Sequence, residues 1–66
     1  MNTLLRVKPM GYGYYCVINS FPTEATDLDA ALDDVGVRQL DRESYTHYLW
    51  DGEDAPSKIP ARLIEG

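Results

Sequence analysis

The sequence predicts an α+β fold in which a small, mainly antiparallel sheet packs on one short helix, in the order β-β-α-β-β. Three observations predict this fold. The stretch Gly11–Phe21 (GYGYYCVINSF) is rich in aromatic and β-branched residues, as a strand at the centre of a sheet is. The stretch Thr23–Val35 changes to helical spacing of its apolar residues. Tyr45–Trp50 and Lys58–Glu65 then return to the alternation of strands.

The first two strands are predicted to form a hairpin. Thr3–Lys8 alternates, with Leu5 and Val7 facing one way and Leu4, Arg6 and Lys8 facing the other, as a half-buried strand does. Pro9 and Gly11 are typical turn residues, so the turn is expected at Lys8–Gly11. The second strand should follow it directly and end at a proline.

The second strand has two apolar faces. One is expected to carry Tyr14, Cys16 and Ile18, and the other Tyr15, Val17 and Phe21. Such a strand needs cover on both faces, or cover on one and a partner on the other.

The helix has recognisable ends. Thr26 and Asp29 have the spacing of a capping box, and Asp27 places a negative charge in the first turn, where the helix dipole favours it. The helix is therefore expected to start near Asp27. Gly36 suits the left-handed residue that ends a helix. The apolar stripe between these ends consists of Leu28, Ala31, Leu32 and Val35.

The C-terminal half is expected to be simpler. Residues 37–44 are mixed in composition and predict a loop, and Tyr45–Trp50 is the third strand. Asp51–Pro56 is an acidic loop, and Pro60 confines the last strand to an edge position. Because one helix covers one face, the other face, with its tyrosines and Trp50, is expected to be partly open.

Length and cysteine content limit how the fold is stabilised. Sixty-six residues form a single domain, 1–66, that buries only about 60% of the surface of its unfolded chain. The single cysteine, Cys16, excludes an intrachain disulfide and is typical of a reducing compartment. Oligomerisation or partner binding is the remaining means of support.

The net charge of −5 opposes binding to nucleic acid or to an anionic membrane surface, and it favours a protein partner with a basic surface. No apolar run is long enough for a signal peptide or a membrane span, which predicts a soluble, cytoplasmic protein.

The sequence contains no catalytic or ligand-binding pattern. His47 and Cys16 are the only residues of their kinds, and they form a cysteine–histidine pair only if their strands are neighbours. Zinc and calcium sites need more ligands or a different spacing. The glycines at 11 and 13 precede a strand, so they form no phosphate loop. We expect no enzymatic activity, no cofactor and no metal.

Two groups of residues are candidates for partner binding. Acidic side chains lie on the outer face of the helix, and two of them fall in its last turn, where the helix dipole disfavours negative charge. Tyrosine and tryptophan precede a second acidic group, and their large rings with polar tips suit an interface. The candidates are Asp29, Asp33, Asp34, Tyr48, Trp50, Asp51, Glu53 and Asp54. The alternative for the helix acids is a merely solvated face.

In size, net charge and absence of catalytic groups, the chain resembles the small inhibitors encoded by bacteriophages, including anti-CRISPR proteins and DNA mimics. This resemblance implies a non-catalytic inhibitor of a nuclease or polymerase, acting by charge mimicry or by steric blocking. The alternative is a structural or assembly module, either a homodimer or a small subunit that joins a larger complex through a sheet edge or an open sheet face.

Overall fold

The computed structural model describes all residues, 1–66, and confirms an α+β domain with an antiparallel sheet. The strands are β1 (Asn2–Gly11), β2 (Tyr14–Thr23), β3 (Thr46–Trp50) and β4 (Lys58–Pro60). The helices are α1 (Leu28–Val35), α2 (Gln39–Ser44) and α3 (Ala61–Glu65). The predicted order β-β-α-β-β is matched only in part, because two further helices, α2 before β3 and α3 after β4, make the observed order β-β-α-α-β-β-α.

The sheet has the strand order β3-β1-β2-β4, with every pair antiparallel. The centre is thus shared by β1 and β2. His47 of β3 is opposite Arg6 of β1, and Cys16 of β2 is opposite Lys8 of β1. Because β1 lies between their strands, His47 and Cys16 are two strand spacings apart, roughly 10 Å, and do not form a pair.

The β1–β2 turn lies three residues later than predicted. Pro9 still pairs with Tyr15 inside the hairpin, and the chain reverses through Gly11, Tyr12 and Gly13, whose φ angles are 82°, 58° and 81°. Left-handed backbone is open to glycine and costly for most other residues, so the two glycines determine the position of the turn. Tyr12 lies at the tip of the hairpin and is 99% exposed.

A bulge in β2 changes which residues share a face. Arg6 is opposite Asn19 but Val7 is opposite Val17, so Ile18 is an extra residue in the ladder. The alternation reverses at this point. Tyr15 and Val17 share a face, as predicted, but Phe21 packs on the opposite face. The predicted grouping of Tyr15, Val17 and Phe21 against Tyr14, Cys16 and Ile18 is therefore wrong from the bulge onwards.

Beyond the bulge, β2 runs through Pro22 instead of ending there. Pro22 is opposite Thr3, and β4 pairs only with Tyr14–Cys16, so this part of β2 is an edge where a proline is tolerated.

The bounds of α1 agree with the sequence. Its N-cap is Asp27, whose Oδ1 accepts a hydrogen bond from Ala30 N at 2.9 Å, so Thr26 is not the capping residue. Gly36 ends the helix with φ 84°.

The core consists of two clusters, one on each face of the sheet. The first contains Leu4, Ala31, Leu32 and Val37, with Phe21 and Leu49 packed against it. The second contains Leu5, Val7, Tyr15 and Ile59. Leu4 and Leu5 are both 0% exposed, so β1 is buried on both sides.

The second face is covered by the C-terminal segment, which corrects the expectation that it is partly open. Ala55 of the loop after β3, together with Ala61 and Ile64 of α3, packs on this cluster. The Tyr15 hydroxyl donates a hydrogen bond to Glu65 Oε2 at 2.7 Å, which fixes α3 to β2. This hydrogen bond, with burial and the charge of Glu65, raises the pKa of Tyr15.

Two helices therefore occupy segments that were predicted otherwise. Residues 37–44, expected to be a loop, include α2, which ends where Tyr45 N donates to Asp41 O at 3.0 Å. The last predicted strand is only three residues long because Pro60, at its end, begins α3. The edge position predicted for β4 is confirmed. None of the helices is long and apolar enough to cross a membrane.

Candidate functional site

The loop that follows β3 presents acidic side chains from a fixed backbone. Asp51, Glu53 and Asp54 are exposed, and neither ion pair of the protein involves them. Gly52 between them is bound to the start of β1: its oxygen accepts from Thr3 Oγ1 at 2.8 Å and its nitrogen donates to Asn2 Oδ1 at 3.2 Å. The backbone of the acidic loop is therefore held in place.

The same asparagine connects this loop to the segment that leads into α1. Asn2 Nδ2 donates to Ala25 O at 2.9 Å while Asn2 Oδ1 accepts from Gly52. Segments 24–29 and 51–54 thus meet at the start of β1, and we call them together the acidic end. Its acidic residues are Glu24, Asp27, Asp29, Asp51, Glu53 and Asp54.

The other two candidate aspartates of α1 have partners within the fold. Asp33 Oδ1 accepts from Arg42 Nη2 of α2 at 2.8 Å. Asp34 Oδ2 accepts from the hydroxyl of Thr23 at 2.7 Å, and Thr23 is only 3% exposed. These contacts offset the unfavourable position of the two charges at the end of the helix, so stability gives a reason for both residues that the sequence did not show.

Tyr48 and Trp50 lie on the opposite side of the sheet from α1. They stand opposite Leu5 and Thr3 of β1, are half-buried, and pack against the second core cluster. The structure therefore separates the candidates. Asp29 and the loop acids belong to the acidic end, Asp33 and Asp34 pair within the fold, and the two rings pack against the second core cluster while remaining partly exposed.

A basic surface lies at the hairpin end of the sheet. It is on the same face as α1, which covers only the other half of that face. Lys8, Cys16 and Lys58 are opposite one another in three adjacent strands, and Arg6 is two residues before Lys8. Directly opposite residues, and residues two apart, share a face. No carboxylate forms an ion pair with Arg6, Lys8 or Lys58, since the ion pairs are Arg38–Asp41 and Arg42–Asp33.

Two tyrosines accompany these cations. The Arg6 guanidinium carbon lies 4.4 Å from the ring centroid of Tyr45, and Lys58 Nζ lies 4.8 Å from that of Tyr14. Tyr45 and Tyr14 are 44% and 39% exposed. We call the set Arg6, Lys8, Tyr14, Tyr45 and Lys58 the basic half-face. The basic half-face was not predicted from the sequence, although alternation along the first strand placed Arg6 and Lys8 on one side.

His47 borders the basic half-face as a neutral side chain. Arg6 Nε donates to His47 Nε2 at 3.3 Å, which requires that nitrogen to be unprotonated. Burial, followed by the positive charge of Arg6 and a smaller effect of Arg42, lowers the pKa of His47, and Asp41 opposes this shift.

The surface has no detectable pocket, and no three His, Cys, Asp or Glu side chains are grouped so as to hold a metal ion. Comparisons with protein-family models, with curated proteins and with solved structures found no match for this chain.

Proposed function

We propose that this protein is a non-catalytic inhibitor that binds a partner with a basic surface, such as a nuclease or polymerase, and blocks its access to nucleic acid. In this role it would act like the small acidic inhibitors of bacteriophages, including anti-CRISPR proteins and DNA mimics. The observation that supports the proposal is the side chain of Asn2, which holds both acidic segments at one end of the sheet.

The loop carboxylates of the acidic end form no ion pair within the protein, so a partner does not have to break one. Asp51, Glu53 and Asp54 are exposed and form no ion pair, so lysine or arginine side chains of a partner replace only water around them. Because Gly52 is anchored by two hydrogen bonds, binding orders little additional backbone, and a preorganised surface gains affinity for that reason. Opposite charge on the partner would also raise the rate of association.

The remaining candidates have supporting roles in this proposal. Trp50 directly precedes the acidic loop, and Tyr48 lies two residues before Trp50 on the same face of the sheet. The exposed parts of their rings therefore form an apolar border to the acidic loop. Asp33 and Asp34 stabilise α1. The interface is therefore centred on the loop, with Asp29 at its margin.

A pull-down with matched charge variants tests the proposal. The immobilised protein is incubated with nuclease-treated lysate of the native host cells, and bound proteins are eluted with salt and identified by mass spectrometry. The test variant is Glu53→Gln with Asp54→Asn. The control is Asp41→Asn with Glu43→Gln on α2, which removes the same charge outside the acidic end.

We expect a nucleic-acid-handling protein to be retained by the wild type and by the control, to be lost with the test variant, and to be inhibited in a titration with the purified chain. Elution should occur as ionic strength rises, because salt screens exposed charges. Equal retention by test and control variants, or no inhibition of the retained protein, would contradict the proposal.

A second candidate function, an assembly module, is favoured by the unpaired edges of the sheet. The outer side of β2 beyond Val17 and the outer side of β3 have no neighbouring strand. A partner strand, from a second copy or a larger complex, adds to such an edge through backbone hydrogen bonds. Sedimentation velocity separates the two functions, since a dimer formed through an edge persists at high salt whereas binding by the acidic end does not.

A further inference from the structure

We propose that the basic half-face binds single-stranded nucleic acid. This site is independent of the acidic end: it occupies the hairpin side of the sheet, whereas the acidic end surrounds the start of β1. Its three cations are Arg6, Lys8 and Lys58.

The arrangement of the cations suits a chain of phosphates. Lys8 and Lys58 are separated by one intervening strand, hence by roughly 10 Å at the backbone, and Arg6 is about 7 Å from Lys8 along β1. Both lysines are exposed and neither has a carboxylate partner. Arg6 uses its Nε in the hydrogen bond to His47, but its two Nη groups have no hydrogen-bond partner. Each of the three cations therefore keeps donors for a different phosphate on a flexible strand.

The tyrosines provide the second element that single-strand binding requires. Proteins that bind single strands combine positive charge with aromatic rings on which bases stack. Tyr14 and Tyr45 keep 39% and 44% of their surfaces exposed, and the cations at 4.8 and 4.4 Å from their ring centroids hold them in position. Charges and rings thus lie side by side on one face of the sheet. This pairing favours a nucleic acid strand over an acidic protein, because every nucleotide carries both a phosphate and a base that can stack.

The net charge of −5 predicts no direct binding to nucleic acid. However, the net charge is a sum over the whole surface and does not describe the local charge of the basic half-face. The Cα atoms extend over 31 Å along the longest axis. At 0.1 M salt the screening length is about 10 Å, so the charges of the acidic end act weakly on a ligand at the hairpin side. The local charge of the basic half-face decides the outcome there.

Fluorescence anisotropy with a labelled twelve-nucleotide oligothymidylate, between 0.05 and 0.2 M salt, tests the proposal. Three phosphate contacts predict that the logarithm of the affinity falls with the logarithm of the salt concentration with a slope of about −2. The test variant Lys8→Gln with Lys58→Gln should reduce the slope to about −0.7. The control Arg38→Gln with Arg62→Gln removes the same charge from exposed positions outside the half-face, and should keep the slope of the wild type.

Replacing Tyr45 by leucine should weaken binding about fivefold or more without changing the slope, because stacking is lost and charge is not. Far-ultraviolet circular dichroism of each variant verifies that it is folded. Four results would overturn the proposal: no binding of the oligonucleotide, an equal change of slope in the test and control variants, stronger binding of polyglutamate than of oligothymidylate, or salt-sensitive self-association in place of binding. The inhibitor function proposed above does not depend on any of them.

Discussion

The hydrogen bond between Thr23 and Asp34 provides a sharp test of how the helix acids act. The Thr23 hydroxyl donates to Asp34 Oδ2 at 2.7 Å and accepts from Ala25 N at 3.1 Å, at a position only 3% exposed. We predict that Asp34→Ala lowers the free energy of unfolding, whereas Asp34→Asn, which keeps an acceptor oxygen, does not.

The magnitude follows from two opposing effects. Leaving the buried hydroxyl of Thr23 without its acceptor costs about 1–3 kcal/mol. Removing a negative charge from the last turn of α1 contributes about 0.3–1 kcal/mol in the other direction. The net loss for Asp34→Ala is therefore about 0–2.7 kcal/mol. The middle of this range, about 1.4 kcal/mol, is a large part of the roughly 3–5 kcal/mol expected of a domain this small. Asp34→Asn should be as stable as the wild type or up to about 1 kcal/mol more stable, because it removes the unfavourable charge and keeps the acceptor.

Urea unfolding measures these differences, with the fluorescence of Trp50, the only tryptophan, as the signal. Asp33→Ala is the matched control, since its exposed ion pair with Arg42 is worth about 0–1 kcal/mol. A double-mutant cycle with Thr23→Val then isolates the contact, for which we expect a coupling energy of about 0.5–3 kcal/mol. The reasoning is refuted if Asp34→Ala is as stable as Asp34→Asn, or if the cycle gives no coupling.

Two further predictions concern the core and the single histidine. Leu5→Ala should lose about 2–5 kcal/mol, because Leu5 is 0% exposed, and should leave the chain largely unfolded by circular dichroism; a wild-type urea midpoint would contradict this. The pKa of His47 is lowered, chiefly by burial, so the unfolded chain binds more protons and stability should fall as pH drops below about 6.5. His47→Gln should remove that part of the change between pH 7 and 5.5 in urea midpoints, and an unchanged pH dependence would show that His47 is not responsible.

Features encoded by neighbouring residues were predictable from the sequence. The ends of α1 follow from Asp27 and Gly36, each of which acts within one helical turn. The alternation along β1 and the edge position of β4 follow from local pattern and from a single proline. The α+β class needed only the order of such segments.

Features that depend on tertiary pairing were not predictable in this way. The bulge at Ile18 reverses the faces of β2, and nothing in the apolar pattern marks it. The helix α2 has no apolar stripe, and its Arg42 is held by Asp33 and by Val37 O, which come from outside the helix. The segment after Pro60 alternates like a strand, yet it packs as a helix on the second core cluster.

The candidate site also combines features that were predictable from local sequence with features that depend on tertiary pairing. Composition alone identified the acidic loop 51–54, but its connection to the segment before α1 depends on Asn2, an unremarkable residue near the start of the chain. The partners of Asp33 and Asp34 become visible only once α2 and β2 are in place. The basic half-face likewise forms only because β4 pairs beside β2 and brings Lys58 into line with Lys8.

The burial of β1 on both sides has a consequence for biosynthesis. On a ribosome, β1 is made before either of the layers that enclose it, which come from residues 31–37 and 55–64. The face of β1 with Leu4 stays exposed until residues 31–37 are made, and the face with Leu5 stays exposed until residues 55–64 are made. A nascent chain that stops short of Ile64 therefore leaves one face of this hydrophobic strand incompletely covered. Folding to the native state is therefore expected to be an event that follows translation of this region, and its speed is limited by the closure of long loops.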